Sequence, residues 1–136
     1  MSKLIFIPGN VPALKNSKEI VYIGKRCNVC RKGHRPLLIS SKRVKEWKKD
    51  TAPYWRKYKA EFLAMISDME TPYRIRFRFI RKSRHKFDYT NALDTIQDEM
   101  VQAKWISDDN SDILRPIPLQ YRYDKENPGV EISVKP

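Results

Sequence analysis

The sequence predicts an α+β fold, a mixed β-sheet packed by two main helices, and three observations carry that expectation. Residues 73–81 alternate strictly, with Tyr73, Ile75, Phe77 and Phe79 on one side and Arg74, Arg76 and Arg78 on the other. Two longer stretches, from Ser41 to Met65 and from Tyr89 to Ala103, place apolar residues at steps of three and four. Short apolar runs at both ends of the chain are bounded by Pro, Gly and Asn turns.

The elements follow in order. "LIFI" is a strand stopped by "PGNVP", and the loop after it carries Lys15, Asn16 and Ser17. "EIVYIG" and "RPLLIS" read as a hairpin with a basic tip. A serine-capped helix begins at "SSKRVKEWKKD", is interrupted or restarted at Pro53, and resumes to Met65. Its apolar residues Tyr54, Trp55, Tyr58, Phe62, Met65 and Ile66 make a core face. In the helix from Tyr89, residues Ala92, Leu93, Ile96 and Met100 share one side, while Asn91, Asp94 and Asp98 gather opposite. "SDDNSD" is a turn, and "ILRPIPLQYRYD" and "GVEISV" are late strands separated by "KENPG". Helices on one sheet face fit best; the pairing directions stay open. The 136 residues suit a single domain.

Charge narrows the partner. Lys and Arg number 28 against 16 Asp and Glu, a formal net charge of +12, and the excess is spread along the chain. A polyanion is the expected partner. Arg74, Arg76 and Arg78, continuing through Arg81, Lys82, Arg84 and Lys86, are candidates to track phosphates, with a solvated sheet face as the bland alternative. No apolar run reaches the roughly 20 residues that span a bilayer, and "MSKLIFIPGNVP" breaks at Pro8 before a signal-peptide core forms. A cytoplasmic protein without a membrane partner is expected.

Directly beside the basic run stand carboxylates: Asp88 before the helix, Asp94 and Asp98 on its polar side, Asp108 and Asp109 in the loop beyond. Phosphodiester hydrolysis needs neutralised charge, an activated water and a stabilised leaving oxygen, which one or two carboxylate-held Mg²⁺ ions supply. Each acid also has a structural reading. Asp88 fits a helix N-cap, Asp94 and Asp98 a solvated stripe, and "SDDNSD" a turn.

The segment "FDYTNALDTIQDEMVQAKWISDDN" resembles the signature of RusA-like Holliday junction resolvases, crossover-junction endodeoxyribonucleases of bacteria and their prophages. In that family an Asp-x-Asp-Asn motif opens a helix, an Asp follows within it, and an apolar residue precedes an Asp-Asp pair. "IPGNVPALKNSK" is similar to the family's Pro-rich loop ending in Asn, and the order of elements agrees over nearly the whole chain. The resemblance implies that Asp88 and Asn91 stand for the motif's first Asp and its Asn, Asp98 for the helix Asp, and Asp108 and Asp109 for the pair. Asp109 is then the pair's metal ligand. It implies Mg²⁺ as cofactor, with Mn²⁺ as substitute, four-way or other branched DNA as substrate, and paired cuts by a homodimer in recombination and repair. Asn91, Lys15 and Asn16 are implied near the DNA.

The pattern departs at two positions: Thr90 replaces the second motif Asp, and Asp94 replaces a Lys. Position 94 is one helical turn beyond 90, so Asp94 is the compensating carboxylate if one exists, making Asp88, Asp94 and Asp109 the catalytic candidates. The alternative is a non-catalytic, basic DNA-junction-binding protein with a degenerate metal site. Lys86 and His85 are nearest to replace the missing cation, with His85 the minor candidate. Cys27, Cys30 and His34 offer three zinc ligands where a closed site needs four, so Zn²⁺ is disfavoured there and a basic hairpin tip is preferred.

Overall fold

The computed structural model describes residues 3–13, 18–23, 35–40 and 42–136. Lys15, Asn16, Cys27, Cys30 and His34 lie outside them, and with them the zinc and hairpin-tip readings. The elements are β1 (Ile5–Pro8), β2 (Lys18–Ile23), β3 (Arg35–Ser40), α1 (Lys42–Lys57), α2 (Lys59–Ile66), β4 (Tyr73–Arg81), α3 (Tyr89–Gln102), β5 (Leu114–Pro118), β6 (Arg122–Tyr123) and β7 (Gly129–Val134). The fold is α+β, as the patterns predict.

The main sheet has the order β1-β7-β4-β5, with β6 pairing the far end of β4. β7 runs antiparallel to both β1 and β4, whereas β5 and β6 run parallel to β4. A parallel neighbour needs a crossover, and α3 provides it between β4 and β5. β2 and β3 pair antiparallel as a separate ribbon, from Lys18 opposite Ser40 to Ile23 opposite Arg35.

Period-two alternation puts Ile75, Phe77 and Phe79 beside Val134, Ile132 and Val130 on one buried face. The hydrophobic cluster continues through Trp55, Phe62, Ala92, Ile96 and Met100 of the helices. Trp105, just past α3, completes it: its ring stacks on Phe62 at 4.8 Å between centroids, and its indole N–H donates to the Trp55 carbonyl at 2.8 Å. Burial with a satisfied N–H makes Trp105 worth about 3–5 kcal/mol against alanine. Gly129 sits where β1 crosses closest, since a Cβ there would meet the Ile7 carbonyl oxygen at 2.4 Å.

Two expectations change in detail. Helix α1 runs through Pro53, and the interruption falls at Tyr58, with φ −94° and ψ 2°. Pro53 faces outward, where its ring is accommodated. Two helix-type bonds still bridge Tyr58, from its N–H to the Tyr54 carbonyl and from Phe62 N–H to its own carbonyl. "ILRPIPLQYRYD" forms two strands, β5 and the short β6, because residues 119–121 leave the ladder between them. No helix among the described residues is long and apolar enough to cross a membrane.

Candidate nucleic-acid interface

β1 and β4 end, and α3 begins, around one cleft. The loop after β1 is held there by three hydrogen bonds. Gly9 N–H donates to the Pro128 carbonyl at 2.9 Å, and Lys82 N–H donates to Asn10 Oδ1 at 3.0 Å. Arg81 Nη1 donates to the Val11 carbonyl at 2.6 Å. Gly9 has φ +117°, a conformation that costs glycine little.

The cleft has a volume of about 220 Å³, and Asn10, Arg43, Arg81, His85, Lys86 and Phe87 line it, with no carboxylate on its wall among the described residues. Burial removes water from the Arg81 guanidinium and lowers its pKa. Arginine nevertheless stays protonated. The Phe87 ring, 4.4 Å from the guanidinium carbon, offers its π-face in place of an anion. Among the described residues none of Arg43, Arg81 and Lys86 forms an ion pair. Partly dehydrated Arg81 beside exposed Arg43 and Lys86, none of them ion-paired among the described residues, is suited to an incoming phosphate.

The expected phosphate track divides at Ile80. Arg74, Arg76 and Arg78 lie on the sheet face opposite the helices, whereas Arg81 falls on the helix side with Phe77 and Phe79. Arg76 Nη2 donates to the Val134 carbonyl at 3.3 Å; Arg78 Nη1 donates to the Gln120 carbonyl at 2.8 Å, and its Nε lies 3.9 Å from Glu131. Both are half-buried and engaged by the sheet itself. Arg74 is exposed at the opposite end of β4 from the cleft. Lys82 is exposed beside the Asn10 loop, and Arg84 lies 4.8 Å over the Tyr123 ring.

The acids occupy the positions that their local chemistry favours. Asp88 caps α3, its carboxylate accepting from Asn91 N–H at 3.1 Å. Asp94 and Asp98 are exposed on the outer side of that helix, and Thr90 is exposed one turn before Asp94. Asn91 is half-buried, and its amide nitrogen has no partner among the described residues. Asp108 accepts from Asp109 N–H at 2.7 Å and from the Asn110 side-chain amide at 3.0 Å; these bonds pull its carboxyl below the usual range. Asp109 is exposed in the same turn.

The fourteen residues of α3 span about 21 Å at 1.5 Å per residue, with Asp88 at one end and the Asp108–Asp109 turn beyond the other. That turn is tied to the start of β4 through Leu114 N–H to Asn110 and Tyr73 N–H to Ile113. Among the described residues, no three His, Cys, Asp or Glu side chains are placed to share one cation.

Several features of this end of the molecule have no counterpart in the motif. Arg43 reaches the cleft from the first turn of α1, and Asn10 from the loop after β1. Tyr121 packs edge-on to Phe87 at 5.2 Å, and Phe87 in turn lies 5.6 Å from Tyr89. The sequence signal was the alternation of aromatic and basic residues in "YRY". The buried Glu99 was likewise unexpected. Lys48 of α1 stands 3.5 Å from Glu99 Oε1, an oxygen without a hydrogen-bond partner among the described residues, and burial raises the carboxyl pKa more than Lys48 lowers it.

No protein-family model matches this chain, and no curated protein sequence matches it.

Proposed function

We propose that the protein is a RusA-like endonuclease of four-way or other branched DNA, acting in recombination and repair as a cytoplasmic homodimer. The observation that carries the DNA reading is the cleft at the start of α3, where Arg43, Arg81, His85 and Lys86 converge without a carboxylate among the described residues. These groups bind and orient the phosphate backbone. Cleavage is supported by the order Asp88, Asn91, Asp98, Asp108–Asp109 along the chain and by the position of Asp88 immediately after the cleft residue Phe87. A two-fold assembly suits a substrate that needs two symmetric cuts.

A second reading, junction binding without cleavage, is favoured by the separation of the acids along α3 and past its end. One experiment divides the two. A synthetic four-way junction is incubated with the protein, with and without Mg²⁺ or Mn²⁺, and scored for paired nicks. Metal-dependent nicks that are lost in Asp88→Asn and Asp94→Asn, with junction binding retained, support the endonuclease. Binding without nicks under every metal condition assigns the binding protein instead.

A further inference from the structure

Next to the cleft lies a group of aromatic side chains that the phosphate contacts do not use. Tyr121 and Tyr123 remain 40% and 41% exposed, among the most exposed large apolar side chains of the described residues. Phe87 links Tyr121 to the cleft, because it lines the cleft wall and meets Tyr121 edge-on at 5.2 Å. Cations alternate with these rings: Arg81 lies over Phe87, Arg84 over Tyr123, and Arg122 separates the two tyrosines in sequence.

An aromatic group that served only to hold its loop would be covered. Here the segment that carries the two tyrosines is anchored by other means, through Leu119 N–H to the Phe77 carbonyl, Asp124 N–H to the Arg81 carbonyl and Arg78 to the Gln120 carbonyl. Neither the Tyr121 nor the Tyr123 hydroxyl donates a hydrogen bond among the described residues. Exposed π-faces interleaved with guanidinium groups match the chemistry of nucleobases on a phosphate backbone, since every base has a face to stack and every nucleotide a charge to neutralise. Bases inside a continuous duplex have no free face. Bases at a branch point or in a single strand do.

We infer that Tyr121 and Tyr123 form a stacking platform for unpaired DNA bases, next to the cleft that receives the adjoining phosphate. The inference rests on the DNA-binding reading above and narrows it to DNA with unstacked bases.

The test compares three probes by fluorescence anisotropy: a (dT)12 strand, an abasic strand of equal length and charge, and a duplex. Wild-type protein is expected to prefer (dT)12 to the abasic strand by about tenfold, the effect of one to two stacked bases. The Tyr121→Ala/Tyr123→Ala variant changes only exposed positions. It is expected to lose that preference while its affinity for the abasic strand and the duplex stays unchanged. Equal wild-type affinity for the (dT)12 and abasic strands overturns the platform while leaving DNA binding in place. So does a variant that weakens all three probes alike. Failure of the wild-type protein to bind any of the three overturns the platform together with the DNA reading beneath it.

Discussion

Arg81, the last residue of β4, donates from Nη1 to the carbonyl oxygen of buried Val11 at 2.6 Å. One guanidinium thereby fastens the loop after β1 and still presents its remaining donors toward the cleft. Arg81→Ala should cost about 1–3 kcal/mol of stability, because the Val11 carbonyl loses its charged partner. It should also weaken DNA binding. Arg81→Lys keeps the charge and loses the fork, so thermal unfolding is expected to show it between wild type and alanine. An alanine variant as stable as wild type would contradict this role.

Lys104 carries a different strain. It has φ 63°, in the left-handed region, directly after the last turn of α3. Trp105 N–H donates to the Met100 carbonyl at 2.9 Å and Lys104 N–H to the Val101 carbonyl at 3.0 Å, a closure that glycine suits best. Lys104→Gly should stabilise the fold by about 1 kcal/mol, read as a higher Tm, without a change in DNA affinity.

The buried Glu99 gives a pH signature. Burial raises its pKa, so the fold favours the protonated acid. That contribution is complete below the unfolded carboxyl range and is lost as pH rises through the folded value. Glu99→Gln removes the charge with little change in shape. The variant should melt above wild type at neutral pH, and the gap should close as the solution is acidified. A gap that widens in acid would reverse the sign of this account.

Much of the fold could be read from periodicity. β4 runs from Tyr73 to Arg81 as its alternation requires, and α3 ends one residue short of the expected Ala103. Pro53 does not end α1, because the lost N–H bond and the clash with the carbonyl one turn back, about 3 kcal/mol, are outweighed by the buried face of Val44, Trp47, Thr51 and Trp55, a balance that the local sequence does not show. The site was less legible. Arg81 and Lys86 of the basic run line the cleft, but a run of arginines in sequence does not reveal the switch of face at Ile80 when read only as charge. Arg43 and Asn10 come from distant segments with no local signal. The acids form a compact motif in sequence because residues are counted along the chain. In space, α3 holds its two ends apart.

The central claim is that the cleft at the start of α3 grips the DNA backbone, and a salt titration of junction binding tests it most directly. Arg43 and Lys86 are exposed and make no ion pair among the described residues, so Arg43→Ala/Lys86→Ala should leave the Tm unchanged. With a labelled four-way junction, the slope of log K against log salt should be shallower by about two units in the variant, roughly one for each lost phosphate contact. An unchanged slope with unchanged affinity would contradict the claim.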